Sequence, residues 1–367
     1  MFKYIKLAAI ALLLSVGFTA CNDDYYYEEN SNNNNPSIGT DEVYALIQGN
    51  AFGGIGGSID KLLVKEGVQS NVVKDFFTKV NEQELGNGPQ EGIHYGSRIY
   101  VSVQASNILW VLDASTLKIQ HKIQMNQPTA LCATKGYVFV TNFDGNVTRV
   151  DTAHLDKTPK LLAVGPNPDG IAAHENKVYV TISDGLNYQG NYANGKKFIE
   201  LNAEEFTKVK EYKTAVNPGQ IVCNQYGEVY VVTRGNYADV TPMVQKLMPN
   251  GKVEDFEPGS FIAVDRDMLY IMDSQVDWSK PESTAHVTIK RFNMTDDTCE
   301  ENFIKKEDLP ANPTHIAVHP VTRDIYICSD KTASGYTLDG YVYRYNYGGE
   351  LLNRYNVGVH PYDIIFK

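Results

Sequence analysis

The stretch PTALCATKGYVFVTN, residues 128–142, decides the fold, because its parts recur along the whole chain. It holds a proline followed by small residues and an apolar position, a tight turn, and a short apolar strand whose second residue is aromatic. Internal repeats of about 20–50 residues are typical of solenoids and propellers. The aromatic strand occurs as Val43-Tyr44-Ala45, Ile99-Tyr100-Val101, Val138-Phe139-Val140, Val178-Tyr179-Val180, Val229-Tyr230-Val231, Leu269-Tyr270-Ile271 and Ile325-Tyr326-Ile327.

The spacing of these seven copies predicts units of four strands each. Successive copies lie 56, 39, 40, 51, 40 and 56 residues apart, close to the length of one propeller blade with insertions. A third strand follows many of them, as in residues 107–113, and a fourth follows that, as in residues 117–123. The closing turns, such as Pro249-Asn250-Gly251, have hairpin chemistry. We therefore predict an all-β, seven-bladed β-propeller with four-stranded blades.

A proline element precedes every aromatic strand except the first, and its last copy comes near the C-terminus. We expect this C-terminal segment to supply the inner strand of the N-terminal blade, which would close the ring and remove exposed sheet edges. The copies of the element are residues 89–93, 128–131, 168–171, 218–221, 258–261, 313–316 and 361–365.

The first residues are typical of a secretory signal peptide, which we assign to residues 1–20. Lys3 and Lys6 precede a short apolar run that ends in small residues. That run is shorter than the about 20 residues that a membrane-spanning helix needs. Phe18-Thr19-Ala20-Cys21 resembles a lipobox, so Cys21 is the predicted site of lipidation.

The segment after the cysteine predicts where the domain lies. We assign residues 21–41 to a flexible tether, because most of the segment is polar and rich in Asn, and residues 42–367 to the propeller. An acidic run that begins at Asp23 resembles the surface-export signal of gut-type diderm lipoproteins. We expect an outer-membrane protein that is exposed at the cell surface and contacts the membrane through its lipid anchor only. A plain solvated linker is the alternative interpretation.

Composition and motifs argue against several classes of function. The net charge of −11 would repel nucleic acid. The five cysteines have no metal-binding spacing, and neither HExxH nor G-x-S-x-G occurs. The glycine-rich residues 53–58 match neither phosphate-binding pattern. We therefore predict a binding protein that is not an enzyme and has no metal site.

Long loops between the second and third strands of five blades are the predicted binding region. They are residues 48–58, 183–197, 233–244, 273–287 and 329–341, and we expect them to gather over one end of a central funnel. Their aromatic side chains offer large contact areas at low entropic cost. The predicted ligand-binding residues are Asn50, Phe52, Asp184, Tyr188, Tyr192, Arg234, Tyr237, Asp273, Trp278, Asp330, Tyr336 and His360.

The blade pattern resembles the YncE-like surface propellers of gut bacteria and, more closely, the BtuG-like lipoproteins. The resemblance spans residues 42–367 and includes the loop start Gln48-Gly49-Asn50, residues 340–345, and the ending Gly358-Val359-His360-Pro361. It implies a surface lipoprotein that binds cobalamin or another corrinoid as cargo, with no cofactor of its own. It also implies that the cargo passes to a TonB-dependent outer-membrane transporter.

Two other functions remain open at this stage. One is capture of a peptide or glycan as an accessory of a different importer. The other is enzymatic, because propellers of similar outline resemble lactonases and quinoproteins. Such enzymes need converging carboxylates, often with calcium, and Asp184, Asp273 and Asp330 are the candidates here.

Overall fold

The computed structural model describes residues 42–64, 71–275, 286–332 and 336–367. The predicted signal peptide, Cys21, the tether and Trp278 lie outside these residues. In the described residues one short α-helix, α1 (Phe76–Asn81), and two 3₁₀ helices, Ala51–Gly53 and Lys306–Asp308, accompany the strands. In chain order the strands are β1 (Glu42–Ile47), β2 (Ser58–Leu63), β3 (Asn71–Val73), β4 (Pro89–Tyr95), β5 (Arg98–Val103), β6 (Ile108–Asp113), β7 (Ile119–Gln124), β8 (Pro128–Thr134), β9 (Tyr137–Asn142), β10 (Asn146–Asp151), β11 (Lys160–Ala163), β12 (Pro168–His174), β13 (Lys177–Ile182), β14 (Lys197–Asn202), β15 (Thr207–Lys213), β16 (Pro218–Cys223), β17 (Val229–Thr233), β18 (Met243–Leu247), β19 (Val253–Pro258), β20 (Phe261–Asp265), β21 (Met268–Gln275), β22 (His286–Asn293), β23 (Thr298–Glu301), β24 (Pro313–Val318), β25 (Ile325–Ser329), β26 (Asp339–Tyr345), β27 (Leu351–Val359) and β28 (Pro361–Phe366).

Over the described residues, these strands form seven antiparallel sheets of four strands each. Blade 1 has the order β28-β1-β2-β3, and blades 2 to 7 each take the next four strands in sequence, from β4–β7 to β24–β27. The predicted seven-bladed β-propeller is confirmed.

The C-terminal strand closes the ring, as the proline repeat predicts. β28 pairs antiparallel with β1, with Ala45 opposite Ile364. The backbone N–H of Lys367 donates to the carbonyl oxygen of Glu42 at 3.2 Å, and the Lys367 ammonium forms an ion pair with the Glu42 carboxylate. The first and last described strands therefore lie side by side in one sheet, so neither blade 1 nor blade 7 is left beside a gap.

The aromatic strands are the second strands of their blades, and their side chains form the core between blades. The aromatic residue of each copy is buried, and Tyr100 and Phe139 are fully so. The hydrophobic clusters mix residues of neighbouring blades, as where Val43 and Ala45 of blade 1 pack with Tyr326 and Cys328 of blade 7. Burial of such side chains, each stabilising by roughly 1.5–3 kcal/mol, holds the blades together.

Hydroxyl groups on the second strands also bridge adjacent blades. Thr141 Oγ1 donates to the carbonyl oxygen of Asp169 at 2.7 Å, and Thr181 Oγ1 donates to that of Gly219 at 2.8 Å. In each case the acceptor lies on the inner strand of the next blade. These bonds satisfy buried backbone oxygens that face away from their own sheet.

The proline element begins the inner strand in six blades and is followed by an irregularity in pairing. In blade 4, Pro168 pairs with Ile182 and Ile171 pairs with Val180. Two residues, Asp169 and Gly170, therefore lie opposite a single residue of the partner strand. A bulge of this kind changes the direction of the side chains it contains. Equivalent shifts occur in blades 1, 2, 3, 5 and 7.

Candidate functional site in the central funnel

The inner strands surround a central funnel of about 800 Å³, to which all seven blades contribute side chains. This volume lies within the range of about 300–1,000 Å³ that small-molecule sites occupy. The funnel reaches the face where the long loops emerge, because Tyr237 and Tyr336 of two such loops belong to its wall.

Two rings of residues form the funnel wall. In six blades the first ring consists of the one or two residues that follow the proline of the inner strand, where the bulges redirect the side chains. In blade 6, which has no such bulge, Ser260 holds the position just before the inner strand. The members of the first ring are Gln90, Glu91, Thr129, Ala130, Asp169, Gly170, Gln220, Ser260, Thr314, His315, Tyr362 and Asp363.

The second ring lies at the ends of the second strands, closer to the mouth. A repeated backbone bond places its members: the N–H groups of Gln104, Phe143, Arg234 and Asp330 each donate, at 2.9 Å, to the carbonyl oxygen of the residue before an inner-strand proline. Ser274 lines the funnel at the corresponding end of β21.

An ion pair between Arg234 and Asp169 crosses from blade 5 to blade 4. The guanidinium contacts both carboxylate oxygens, with 3.2 Å between Nη2 and Oδ1. Burial acts to lower the pKa of Arg234, but the charge of Asp169 and the hydrogen bonds to it raise that pKa overall, so the arginine stays charged. Gly219 leaves room for the group, since a Cβ there would lie 2.3 Å from Arg234 Cζ.

Glu91 and Asp363 form a pair of carboxyl groups on the neighbouring inner strands β4 and β28. Asp363 Oδ2 accepts from the N–H of Gly92, the residue next to Glu91, at 2.8 Å. Burial, and then the charge of Asp363, raises the pKa of Glu91 to about 8. Burial likewise raises the pKa of Asp363 to about 7, against two backbone N–H groups that lower it. The pair therefore retains a proton at neutral pH.

A histidine and a carboxylate meet at the mouth. His360 Nδ1 lies 2.9 and 3.0 Å from the two carboxylate oxygens of Asp330, and its ring centroid lies 5.6 Å from that of Tyr336. His360 has a φ of 57°, and this left-handed conformation precedes the bulge at Pro361.

The structure brings five of the predicted binding residues together in the funnel wall. They are Arg234, Tyr237, Asp330, Tyr336 and His360. Asn50 lies beside them, and its Nδ2 donates to the carbonyl oxygen of Tyr336 at 3.0 Å.

The other predicted residues that the structure describes do not line the funnel. Asp184 accepts hydrogen bonds from Asn187 and Asn194 in its own loop, where Tyr192 is also buried. Asp273 accepts from Ser260 Oγ at 3.2 Å. Phe52 and Tyr188 are exposed on their loops. Ligand contact by these residues, and by Trp278, stays a prediction.

A shift of one residue explains the positions of Asp184 and Asp273. In blade 4 the backbone bond that defines the second ring is made by Ser183, whose N–H donates to the carbonyl oxygen of Asn167. Ser183, and not Asp184, is therefore the counterpart of the second-ring residues of the other blades. In blade 6, Ser274 lines the funnel. Successive side chains of a strand point in opposite directions, so each neighbouring aspartate points elsewhere.

Sequence reasoning missed most of the first ring. Glu91, Asp169, Gln220, His315 and Asp363 were not among the predicted binding residues, although all follow the repeated proline. The signal was present: polar residues occupy these two positions in a repeat whose next position is apolar. Only the bulges show that these residues face the funnel.

The described residues contain neither a candidate metal site nor a candidate membrane span. No group of three or more His, Cys, Asp or Glu residues is arranged to hold a metal ion in this part of the chain. No helix within it combines the length and the apolar character needed to cross a bilayer.

Solved structures share the fold at low sequence identity. Hydrazine synthase from Kuenenia stuttgartiensis has a TM-score of 0.59 at 15% identity, over 76% of this chain and 89% of that chain. A quinonprotein alcohol dehydrogenase-like protein from Bacteroides thetaiotaomicron has a TM-score of 0.59 at 14% identity, over 89% of this chain and 78% of that chain. The WD40 repeats of RRP9 have a TM-score of 0.53 at 9% identity, over 73% and 80%. At these identities the likeness extends to the fold alone.

No curated protein sequence matches the chain. The family model named DUF5074, a domain of unknown function, matches residues 45–366, which is nearly the whole propeller. The chain therefore belongs to the DUF5074 family.

Proposed function

We propose that this protein binds a small nutrient molecule in the central funnel, and that a corrinoid such as cobalamin is the first candidate. One observation carries the proposal: a funnel of about 800 Å³ whose wall gathers polar side chains from every blade and aromatic ones near its mouth. A rigid ring of this kind presents a preformed site, which lowers the entropic cost of binding.

The wall chemistry suits a flat molecule with amide arms. The side-chain amides of Gln104 and Asn312 offer both donors and acceptors. Those of Gln90 and Gln220 also line the funnel, but they already bond backbone groups. The arginine of the wall, Arg234, is already neutralised by its partner. The aromatic residues Phe143, Tyr237, Tyr336 and Tyr362 supply surfaces on which a macrocycle can pack. The resemblance to BtuG-like lipoproteins supports the same class of ligand.

Calorimetry with cyanocobalamin tests the corrinoid assignment. We would titrate the mature chain carrying Cys21→Ser, and we expect a dissociation constant of about 1 µM or lower. Tyr336→Ala should weaken binding at least tenfold, because it removes an aromatic surface at the mouth. Tyr226→Ala is the matched control, since Tyr226 is an exposed tyrosine in the β16–β17 turn at the opposite end of its blade. Absence of binding heat in the unaltered propeller would dismiss the corrinoid.

The proposal includes a lipid anchor that would hold the propeller at the outer surface of the cell. In this proposal Cys21 carries the lipid, and the funnel delivers its cargo to a TonB-dependent transporter. Fractionation of cells that express the wild-type chain or Cys21→Ser tests the anchor: the wild type should sediment with outer membranes and the variant should not. Protease treatment of intact cells then distinguishes the outer surface from the periplasm.

A peptide or glycan is the competing cargo. The exposed Phe52 and Tyr188 favour it, because exposed aromatic rings on long loops can stack on sugars or contact apolar peptide side chains. Neighbouring genes separate the two: corrinoid transport genes support the first proposal, and a polysaccharide or peptidase locus supports the second.

The prediction that the protein is not an enzyme can be checked by elemental analysis, where stoichiometric calcium would argue for catalysis.

A further inference from the structure

The Glu91–Asp363 pair has no cationic partner among the described residues. Backbone N–H groups hold it instead: Leu131 donates to Glu91 Oε2 at 2.9 Å, and Gly92 and Ile364 each donate to Asp363 at 2.8 Å. His315 Nε2 lies 3.2 Å from Asp363 Oδ1, but burial lowers the pKa of His315 to about 4, so this imidazole is neutral. The carboxyl pair therefore faces the funnel without a compensating charge.

A buried amide in the same wall lacks any hydrogen-bond partner. Asn312 is 6% exposed and lines the funnel, yet neither its side-chain nitrogen nor its oxygen is satisfied within the described structure. Its counterparts before the prolines of blades 4 and 5 are satisfied: Asn167 Nδ2 donates to Phe143 and Asn217 Nδ2 donates to Gly235. A buried amide without partners is costly, and a group with both a donor and an acceptor would satisfy it.

We propose that Glu91 and Asp363 bind a carboxamide group of the ligand, with Glu91 in its acid form donating to the amide oxygen and Asp363 accepting from the amide nitrogen. This inference rests on the proposed function of the funnel as a binding site. It narrows the ligand to a carboxamide-bearing molecule and assigns the two residues that select it.

The wall favours a carboxamide over an ammonium group. A carboxyl pair that retains one proton presents one donor and one acceptor, which is the pattern that a carboxamide complements. An ammonium group has donors only, so it would leave the acidic hydroxyl of Glu91 without an acceptor. The amides of Gln90 and Gln220 and the orphaned amide of Asn312 extend the same neutral chemistry along the wall.

The groups that surround the pair keep their charge state between pH 7 and 9. Burial raises the pKa values of Cys132, Cys328 and Tyr362, which stay neutral. His315 is neutral throughout this range. The remaining charged neighbours, Asp169 and Arg234, neutralise each other. Within this range a pH effect on binding would therefore come from the carboxyl pair. The His360→Asn variant tests whether the imidazole at the mouth contributes to that effect.

The first experiment measures the affinity for cyanocobalamin by calorimetry from pH 6 to pH 9. Loss of the Glu91 proton, with a pKa of about 8, should weaken binding by about tenfold between pH 7 and pH 9. Glu91→Gln keeps a donor and an acceptor, so its affinity should vary little over this range. Asp339→Asn, which alters an exposed carboxylate paired with Lys74, should retain the wild-type profile.

The outcomes separate this inference from the function on which it rests. Binding that is insensitive to pH between pH 7 and pH 9, or that strengthens as the pH rises over this range, overturns the carboxamide assignment and leaves corrinoid capture standing. If cyanocobalamin does not bind at any pH, capture of corrinoids fails, and the carboxamide assignment is decided with nicotinamide and nicotinate by ligand-observed NMR. Nicotinamide should then bind at pH 7, weaken at pH 9 and keep its binding in Glu91→Gln, while nicotinate should not bind. Failure of nicotinamide as well overturns the inference.

Discussion

Single residues of the funnel serve both the wall and the joints between blades. Arg234 and Asp169 belong to different blades, and Asp169 also receives the Thr141 hydroxyl at its backbone oxygen. Gln220 makes a similar joint, because its side chain donates to the carbonyl oxygen of Ile262 and accepts from the N–H of that residue. A side chain that lines the funnel thus also fixes the distance between two blades.

Removing one partner of the Arg234–Asp169 pair should destabilise the fold. We expect Asp169→Asn to lower the free energy of unfolding by about 1–2 kcal/mol, because it leaves a partly buried guanidinium without its counter-charge; the pair is partly open to solvent, which reduces the effect. Urea denaturation measures it. A double-mutant cycle with Arg234→Gln should give a coupling energy that favours the folded state. Additive effects of the two substitutions would contradict the assigned interaction.

The raised pKa of Glu91 predicts how stability depends on pH. An acid whose folded-state pKa lies above its unfolded value favours folding less as the pH rises between the two values. The penalty therefore grows from about pH 4.5 to about pH 8 and is constant above that. Glu91→Gln removes it, so this variant should exceed the wild type in stability by roughly 1–3 kcal/mol at pH 9 and by much less at pH 5. Chemical denaturation at both pH values measures the difference, and a gain that is equal at the two values would contradict the titration.

The proline elements are the structural elements that decide the site. Their repetition in the sequence, together with that of the aromatic strands, was sufficient to predict seven blades and the closure by β28. The direction of the side chains after each proline was not predictable, because it depends on bulges whose pairing involves residues far away in the chain. The positions of Asp184 and Asp273 show the same limit, since a loop boundary that is uncertain by one residue reverses the direction of a side chain.

Close packing at a bulge gives a test of this element. A Cβ added at Gly170 would lie 2.4 Å from the carbonyl oxygen of Gly219 on the next inner strand. We expect Gly170→Ala to lower the free energy of unfolding by about 1–3 kcal/mol, because the inner strands of blades 4 and 5 must separate. Gly56→Ala is the control, as only one atom lies near its added Cβ, at 3.8 Å, and its stability should stay within about 0.5 kcal/mol of the wild type. Thermal unfolding compares the two, and a stable Gly170→Ala protein would argue against close contact of these strands.

At the scale of the whole molecule, the ring depends on one strand that comes from the far end of the chain. β28 covers the inner edge of β1 and contributes Tyr362 and Asp363 to the funnel. Ile364 and Ile365 of the same strand are buried in the core. The same segment thus closes the ring and supplies part of the funnel wall, and the repeat pattern predicted the first of these roles but not the second.

Deleting residues 361–367 should abolish cooperative folding. The deletion removes buried apolar side chains and leaves the edge of β1 without a partner, which favours aggregation. We expect a broad thermal transition in circular dichroism and early elution from a sizing column. Deletion of Lys367 alone removes a surface ion pair and should cost at most about 1 kcal/mol. A truncated protein that melts as sharply as the wild type would contradict closure by β28.

The pairing of β1 with β28 also sets an order of events when the protein is made. Lys367 and Glu42 are 325 positions apart, so at about 5–20 residues per second a ribosome finishes the last strand some 16–65 s after the first. During that interval the N-terminal blade lacks its inner strand and is incomplete. The ring can therefore close only after β28 has been made, so every shorter N-terminal fragment of this chain is an open ring.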